Sequence, residues 1–190
     1  MPDPRPDVLD FLLTRRSHTA KTLTGPGPEG AALTPLITAA ARVPDHGKLE
    51  PWRFVVIGTA ALPRICDAAL TRLSALGQDD ASLEKSRVVF SHGATIVAVI
   101  ASPKPSEKIP VWEQELSAGA LCLGLVNAAH AAGWGANWLT GPLARDRAFL
   151  RDALGCADHE WAPGFIHIGT PQITPAERDR PDIEALTTWL

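Results

Sequence analysis

Cysteine is scarce in this sequence, and its spacing argues against a domain held together by disulfide bonds or by structural zinc. Only Cys66, Cys122 and Cys156 occur, and no two of them have the C-x-x-C spacing. Disulfide frameworks and structural zinc sites need more cysteines or closer pairs, so neither is expected. The scarcity favours a reducing compartment, and residues 1–7 lack the basic-then-apolar order of a signal peptide. We therefore predict a cytoplasmic protein.

An excess of positive charge is also missing. Lysine and arginine total 18 against 21 aspartate and glutamate residues, which gives a net charge of −3. That balance does not point to nucleic acid or to an anionic membrane as a partner, although local arginine clusters can still hold a small anion. With 45% apolar residues in 190 positions, and without an internal repeat, the sequence predicts one domain over residues 1–190.

Several common catalytic and nucleotide-binding patterns are absent from the sequence. No G-x-G-x-x-G follows a predicted strand, and no Gly-rich phosphate loop of the Walker type occurs. The serines Ser17, Ser74 and Ser117 lie outside any G-x-S-x-G context, which argues against a nucleophilic triad. The six histidines include no H-E-x-x-H pair, so neither a metal hydrolase nor a metal site is expected.

A stiff polar loop is the most distinctive feature that is present. Residues 42–53 carry two prolines, several charges and His46 between a helix-like run and the β-branched run Arg53–Ile57. Rigid loops on a packed scaffold often hold binding groups. The alternative is an ordinary helix-to-strand connection in which Pro44 and Pro51 only interrupt regular structure. The near-continuous apolar run after the loop suggests a strand covered on both faces.

Apolar periodicity and turn residues predict a mixture of helices and strands. Helices are expected at residues 8–16 after an Asp7 N-cap, and at 36–42, 62–76, 111–132 and 144–154. Strands are expected at residues 53–57, 94–100, 133–139 and 163–169. Gly77 and Gly155 should end helices, and residues 78–87 should form a polar linker.

The long helix leads into a stretch, residues 116–144, without a charged side chain. A membrane span is one interpretation of such a stretch. However, it contains Ser117, Asn127, His130 and Asn137, and many alanines and glycines. A helix that is apolar all round is more often central to a core or to a subunit interface. Small residues at 118–120 and 124 would allow a second backbone to approach closely, which favours a tight dimer.

Two further segments suggest ligand contacts. Arg15, Arg16 and Ser17 follow the first helix, where two guanidiniums and a hydroxyl can hold a phosphate. The alternative is a basic turn that complements the helix dipole. Residues 133–142 form a strand and turn with glycines at both ends, so the backbone there could approach a flat ligand beside Trp138 and Thr140. A strand that ends in a plain turn is the simpler interpretation.

Five segments together resemble the FMN-dependent nitroreductase family, and within it a small bacterial YdjA-like branch. They are Arg15-Arg16-Ser17, Pro44-Asp45-His46 with Pro51-Trp52-Arg53-Phe54, Trp112-Glu113-Gln114-Glu115-Leu116-Ser117-Ala118-Gly119, Trp138-Leu139-Thr140-Gly141 and Gly169-Thr170-Pro171-Gln172. Their order and spacing match the family over nearly the full length. The resemblance implies an α+β fold with a central, mostly antiparallel sheet flanked by helices. It also implies an intertwined homodimer with two FMN sites in the interface.

The resemblance further implies roles for individual residues. Arg15, Arg16 and Ser17 would hold the FMN phosphate and ribityl chain, with Arg178 and Arg180 of the C-terminal segment also on the phosphate. Arg42 and His46 would reach the flavin of the partner subunit. Trp138, Leu139 and Thr140 would line the isoalloxazine or its tail.

The implied activity is an FMN-dependent NAD(P)H oxidoreductase. Hydride would pass from NAD(P)H through bound FMN to a nitroaromatic, a quinone or a similar small oxidant in a ping-pong mechanism. The cofactor would carry this chemistry, so no side chain is assigned as catalytic. The alternatives are a protein that binds FMN without turnover, as a sensor or carrier, and a specialised enzyme that uses reduced FMN, such as a dehalogenase.

Overall fold

A computed structural model describes residues 3–92 and 94–190 and contains one sheet with helices on both faces. The helices are α1 (Pro6–Thr14), α2 (Thr34–Ala40), α3 (Leu62–Ala75), α4 (Asp80–Ser91), α5 (Val111–Ala131), α6 (Arg147–Leu154) and α7 (Ile183–Leu186). The strands are β1 (Leu23–Thr24), β2 (Trp52–Ile57), β3 (Thr95–Ala101), β4 (Gly135–Leu139) and β5 (Trp161–Pro171). Short 3-10 turns occur at Ala20–Thr22, Gly30–Ala32, His46–Lys48 and Pro142–Ala144.

Every strand pairing in the described chain is antiparallel. The long strand β5 is central: it pairs with β3, β4 and β1, while β2 pairs with β3. Residues 165–168 of β5 face β3 on one edge and β4 on the other, because both strands pair with them. The α+β fold with a central antiparallel sheet flanked by helices is therefore confirmed.

Two apolar cores lie on opposite faces of the sheet. Ile96, Ala98 and Ile100 of β3 join α3 and α6 in one core, whereas Val97 and Val99 join α2 and α5 in the other. This division follows from the alternation of side chains along a strand. All seven residues of β3 are buried, as the apolar run predicted.

The long helix α5 packs against the sheet and against α2 of the same chain. A Cβ added at Gly124 would lie 3.2 Å from the carbonyl oxygen of Ala40, so the glycine permits close contact with α2. This close approach lies within the chain and does not require a second subunit. None of the described helices combines the length and apolar character needed to cross a bilayer.

The predicted linker at residues 78–87 is wrong, because α4 occupies most of it. The carboxylate of Asp79 accepts the backbone N–H of Ser82 at 2.8 Å and caps the helix. The polar residues lie on a helix that turns Phe90 toward the core. Its weak apolar periodicity concealed the helix, but the Asp79 cap was a usable signal.

Two further expectations need correction. Helix α1 begins at Pro6 rather than after Asp7 and ends at Thr14, so Arg15 and Arg16 lie beyond it. Strand β2 is only partly covered: Ile57 is buried, but Val56 is 45% exposed. The reason is that β2 lies at the edge of the sheet, where it pairs only with β3 among the described strands. Its apolar side chains touch both cores, but only Ile57 is fully enclosed.

Candidate functional site

A surface groove between α4 and β4 is the first part of the candidate site. This α4–β4 groove has a volume of about 500 Å3. Its lining includes Thr19, Lys21, Lys85, Val89, Asn137 and Leu139. Lys85 and Val89 line it together because residues four apart share one face of a helix. Glu84 lines the groove as well, so its apolar walls are combined with two ammonium groups and one carboxylate.

A smaller inner cavity of about 210 Å3 adjoins the groove. Lys85, Val89 and Leu139 line both spaces. The inner cavity continues to Ser86 and Phe90 of α4, to Thr140 and Gly141 after β4, and to His167 of β5. Of the residues predicted to line a flavin, Leu139 thus lies where the two spaces meet, and Thr140 lines the inner cavity alone.

Trp138 takes a different position from its neighbour Leu139. Its indole Nε1 donates to the carbonyl oxygen of Pro163 at 2.9 Å, and the ring lies where a Cβ on Gly164 would be. Successive side chains of a strand point to opposite faces, so Trp138 lies on the other face of β4 from Leu139. It lines neither the groove nor the inner cavity, and its contact with a flavin stays a prediction.

The second part of the site is an arginine cluster formed by Arg15, Arg16 and Arg180 with Glu177. Arg16 donates to Glu177 Oε1 at 2.9 Å, and Arg180 makes an ion pair with the same oxygen at 2.9 Å. Arg15 and Arg16 line a cavity of about 360 Å3. The Nη1 atom of Arg15 is buried and has no hydrogen-bond partner within residues 3–92 and 94–190. The guanidinium thus has an unused donor.

The remaining residues predicted near the phosphate lie at the surface. Ser17 and Arg178 are exposed, and the Arg178 backbone N–H donates to Glu177 Oε1 at 2.9 Å. Glu177 therefore links Arg16 to the C-terminal segment. The four charged residues 16, 177, 178 and 180 come together although 161 positions separate Arg16 from Glu177.

Two histidines connect the arginine cluster to the α4–β4 groove. The rings of His18 and His130 lie 5.6 Å apart, and the Ala136 N–H donates to His130 Nε2 at 3.2 Å. Burial, with help from His18 and Arg15, lowers the pKa of His130 to about 4. Asn137 donates its side-chain amide to the carbonyl oxygen of His18 and also lines the groove. Near neutral pH the positive charge here therefore belongs to the arginines.

Side-chain hydrogen bonds hold the loop after α2 in place. The Asp45 carboxylate accepts the backbone N–H groups of Leu49 at 3.1 Å and Glu50 at 2.8 Å. Ser117 of α5 donates to the carbonyl oxygen of Pro44 at 2.7 Å. Glu50 has a positive φ of 47°, a conformation that such contacts must stabilise.

This loop presents His46 at the surface. His46 Nδ1 lies 2.8 Å from Glu113 Oε2 of α5, so the carboxylate orients the imidazole. Both residues line a cavity of about 300 Å3 with Leu116 and Ser117. Arg42 is exposed. Within one chain neither Arg42 nor His46 lines the groove, the inner cavity or the arginine cluster.

Arg53 belongs to the scaffold and not to the site. Its guanidinium donates to both carboxylate oxygens of Glu160, at 2.8 and 2.7 Å. This pairing lowers the pKa of the buried Glu160 carboxyl to about 2. The ion pair holds β2 to the start of β5.

Sequence reasoning missed Lys85, Lys21, His130 and His167 as lining residues. Lys85 lay in a segment interpreted as a linker, and a helical interpretation would have placed it on one face with Val89. The histidines have no local signal, because their positions depend on strand pairing. Asn137, for example, faces His167 across β4 and β5.

Comparison with known proteins gives consistent matches over most of the chain. Residues 12–170 match the model of the Nitroreductase family. The chain is 35% identical over 167 residues to "Putative NAD(P)H nitroreductase YdjA" of Escherichia coli (strain K12), which covers 88% of this chain and 90% of that protein.

Solved structures show the same fold. A nitroreductase-like family protein from Bacillus cereus superposes with a TM-score of 0.79 at 20% identity, over 100% of this chain and 99% of that one. A Desulfovibrio desulfuricans protein, described as a putative nitroreductase in complex with FMN, superposes with a TM-score of 0.72 at 22% identity. That match covers 100% of this chain and 99% of the other.

Proposed function

Because this chain belongs to the nitroreductase family, we propose that it is an FMN-dependent NAD(P)H oxidoreductase that reduces a nitroaromatic, a quinone or a similar small oxidant. The observation that carries the proposal is the continuous arrangement of the arginine cluster, the His18–Asn137 link and the α4–β4 groove. Such an arrangement suits an anionic tail joined to a flat ring. The FMN complex of a structural relative supports the choice of ligand.

The arginine cluster fits the phosphate of FMN. The buried Nη1 of Arg15 has no partner among the described residues, and a phosphate oxygen would supply one. Arg16 and Arg180 already hold one anionic group, the carboxylate of Glu177. A phosphate would share or replace that carboxylate, because guanidiniums bind both groups through the same donors. Ser17 and Arg178 extend this proposed phosphate and ribityl site.

The α4–β4 groove fits the isoalloxazine ring. Leu139 and Val89 supply apolar walls for its flat faces, and Thr140 follows at the end of β4. Lys85 and Lys21 bring two ammonium groups to the same space, where the Glu84 carboxylate offsets one of them and leaves a net positive charge. Fixed positive charge would stabilise the anionic reduced ring, which is how a protein tunes a flavin.

When bound, FMN supplies the hydride and electron transfer that side chains lack. The residues of this chain would bind the phosphate, orient the ring and exclude water. The proposed order is ping-pong: NAD(P)H would give up its hydride and leave as NAD(P)+ before the oxidant enters the same place. No proton transfer is assigned to a side chain.

A homodimer completes the proposal. Leu9, Leu12 and Leu13 of α1 are exposed, as are Trp112 and Leu116 at the start of α5. Contiguous exposed apolar side chains usually mark an interface. The His46 loop contacts α5 beside Leu116, so an interface there would bring Arg42 and His46 to the other subunit. We propose that these residues approach the partner's flavin.

Absorbance spectroscopy under anaerobic conditions tests the function. We expect the purified or reconstituted protein to show two visible flavin bands that bleach when NADPH or NADH is added and return with a nitroarene or quinone. Flavin that stays oxidised would favour a binding protein without turnover. Failure to bind FMN at all would overturn the proposal.

Sedimentation analysis tests the assembly separately. The dimer should have twice the 20.3 kDa mass of the chain at micromolar concentration. Replacing Leu12 with aspartate should shift the protein toward monomer, because a charge would then lie in the apolar contact. The control is Asp10→Asn, a change of an already polar residue on the same helix. A wild-type monomer would contradict the proposed dimer.

A further inference from the structure

The inner cavity contains a buried histidine with an unused hydrogen-bonding atom. His167 is 2% exposed and lines the cavity from β5. Its Nδ1 has no partner among residues 3–92 and 94–190. Such an atom is costly to bury, so it calls for an explanation by water or by a ligand.

The surroundings of His167 keep its ring neutral. The Phe90 ring meets it edge-on with centroids 6.2 Å apart. Burial lowers the pKa of His167 to about 4, so the imidazole is uncharged near neutral pH. An uncharged imidazole can form a hydrogen bond with a neutral group, because it carries no positive charge that an anion would have to balance. The polar group of a ligand at this position is therefore a neutral one.

The size and lining of the cavity suit a single six-membered ring. Its volume is about 210 Å3. A cavity of about 150 Å3 lined by leucine, isoleucine and phenylalanine is sufficient to bind benzene. Leu73, Phe90, Leu143 and Phe165 provide comparable apolar walls here.

The cavity has few other polar groups facing a ligand. The Ser86 hydroxyl donates to the carbonyl oxygen of Ser82 at 3.0 Å, so its hydrogen is already used within α4. Lys85 lies where the cavity meets the α4–β4 groove, since it lines both. Thr140 also lines the cavity but is exposed at the end of β4. His167 is thus the deeply buried polar side chain of the lining, and the oxygen of an enclosed ring would be directed to it.

We propose that the inner cavity is a binding site for a small monocyclic phenol, with the ring among the apolar walls and the hydroxyl hydrogen-bonded to His167. A phenol hydroxyl can donate or accept, so it can pair with the imidazole of His167 in either neutral tautomer. The further interpretation, that the cavity receives hydroquinone-like products beside the flavin, rests on the proposed function. The binding of a phenol depends only on the size and lining of the cavity.

Histidine-ring NMR tests the site without any turnover. Protein labelled with 15N in its histidine rings, carrying whatever FMN it retains, is titrated with phenol. We expect the His167 nitrogen resonances to shift saturably, whereas benzene should leave the Nδ1 resonance nearly unchanged. Resonances that do not respond to phenol would show that the cavity holds only water or stays empty, and would overturn the proposal.

The variant His167→Phe separates the hydrogen bond from the apolar contact. It keeps an aromatic ring in the wall and removes both nitrogens. Calorimetry should show phenol bound about tenfold more weakly, a ratio that corresponds to about 1.4 kcal/mol, while benzene binding is not weakened. Equal phenol affinity in the variant and the wild type would remove His167 from the site.

A pair of α4 variants locates the ligand. Ser86 lines the inner cavity but not the groove, so Ser86→Leu should fill the cavity and abolish phenol binding. Ser91→Leu, on the exposed surface of the same helix, is the matched control and should bind phenol normally. Normal binding in Ser86→Leu would contradict the assignment. The FMN spectrum, recorded in parallel, shows separately whether the proposed function fails.

Discussion

The interior of the sheet and the two ends of the chain distribute apolar residues in opposite ways. All seven residues of β3 are buried, whereas α1 has no buried residue within its described length. At the other end, Leu186 is 74% exposed and Trp189 is 91% exposed. Large apolar side chains thus occur in both regions, but only the interior encloses them.

Under the proposed dimer, this difference means that one chain stabilises the fold and a second chain completes the candidate site. The arginine cluster lies between the two ends, because Arg15 and Arg16 follow α1 and Arg180 precedes α7. Exposed apolar ends are costly unless a partner covers them. A site attached to such ends would be formed fully only in the assembled protein.

The largest expected effect comes from making a cavity in the interior. Leu125 of α5 is fully buried, so Leu125→Ala should lower the free energy of unfolding by about 2–5 kcal/mol. Leu13 of α1 is 69% exposed, and Leu13→Ala should cost the isolated chain at most about 0.5 kcal/mol. Urea unfolding over a range of protein concentrations measures both.

Concentration dependence sharpens this test. A loss for Leu13→Ala that grows with protein concentration and vanishes on dilution would assign Leu13 to the dimer contact, because association stabilises the fold by mass action. An equally large loss for Leu13→Ala at every concentration would break the comparison, because the ends would then belong to the core.

The two regions also differ in their ion pairs. Glu160 is 6% exposed and receives two hydrogen bonds from Arg53. Its pKa falls from an ordinary 4.5 to about 2, so Glu160→Gln should cost on the order of 2–3 kcal/mol at neutral pH. A depressed pKa adds stability above about pH 4.5, and that stability disappears as pH falls toward 2.

Unfolding curves between pH 2 and pH 7 measure the Glu160 contribution. The difference between wild type and Glu160→Gln should be full above pH 4.5 and shrink toward pH 2. The matched change at the chain ends is Glu177→Gln, whose carboxylate is exposed and screened by solvent, so its contribution should be much smaller than that of Glu160. A pH-independent difference for Glu160→Gln would show that the ion pair is not its cause.

The arginine cluster should affect the ligand more than the fold. Arg15→Ala should weaken FMN retention by about 1.5–3 kcal/mol, the range for a hydrogen bond to a charged group. Arg5→Ala is the control, because Arg5 makes only an exposed pair with Asp7 at 2.9 Å. Fluorescence titration of apoprotein with FMN measures both. Unchanged affinity in Arg15→Ala would remove Arg15 from the phosphate site.

Local signals in the sequence were sufficient for much of the fold. Gly77 and Gly155 end α3 and α6 with positive φ, and the apolar run of β3 is buried as expected. The helix α4 was missed because its apolar face is narrow. The ends of α3 and α6 and the burial of β3, by contrast, depend on residues close in the sequence, which periodicity and turn residues describe well.

Features of the site that depend on distant residues could not be read from local patterns. Arg53 and Glu160 pair across 107 positions, and His167 meets Phe90 only after β5 joins the sheet. The link from Arg16 to Arg180 through Glu177 is of the same kind. Family resemblance brought both arginines into the prediction, whereas Glu177 became visible only in the structure.

The smallest expected effect concerns the His46–Glu113 pair on the exposed loop. Glu113→Gln keeps a hydrogen-bond acceptor near His46 Nδ1 but removes the charge, so the free energy of unfolding should fall by only about 0.2–1 kcal/mol. Asp45→Asn, by contrast, weakens the two backbone contacts that hold the strained turn and should cost more. Thermal unfolding compares the two variants. Because the loop is anchored by Asp45 and Ser117, Glu113 serves to orient one side chain, and a loss above about 2 kcal/mol for Glu113→Gln would instead make the pair part of the scaffold.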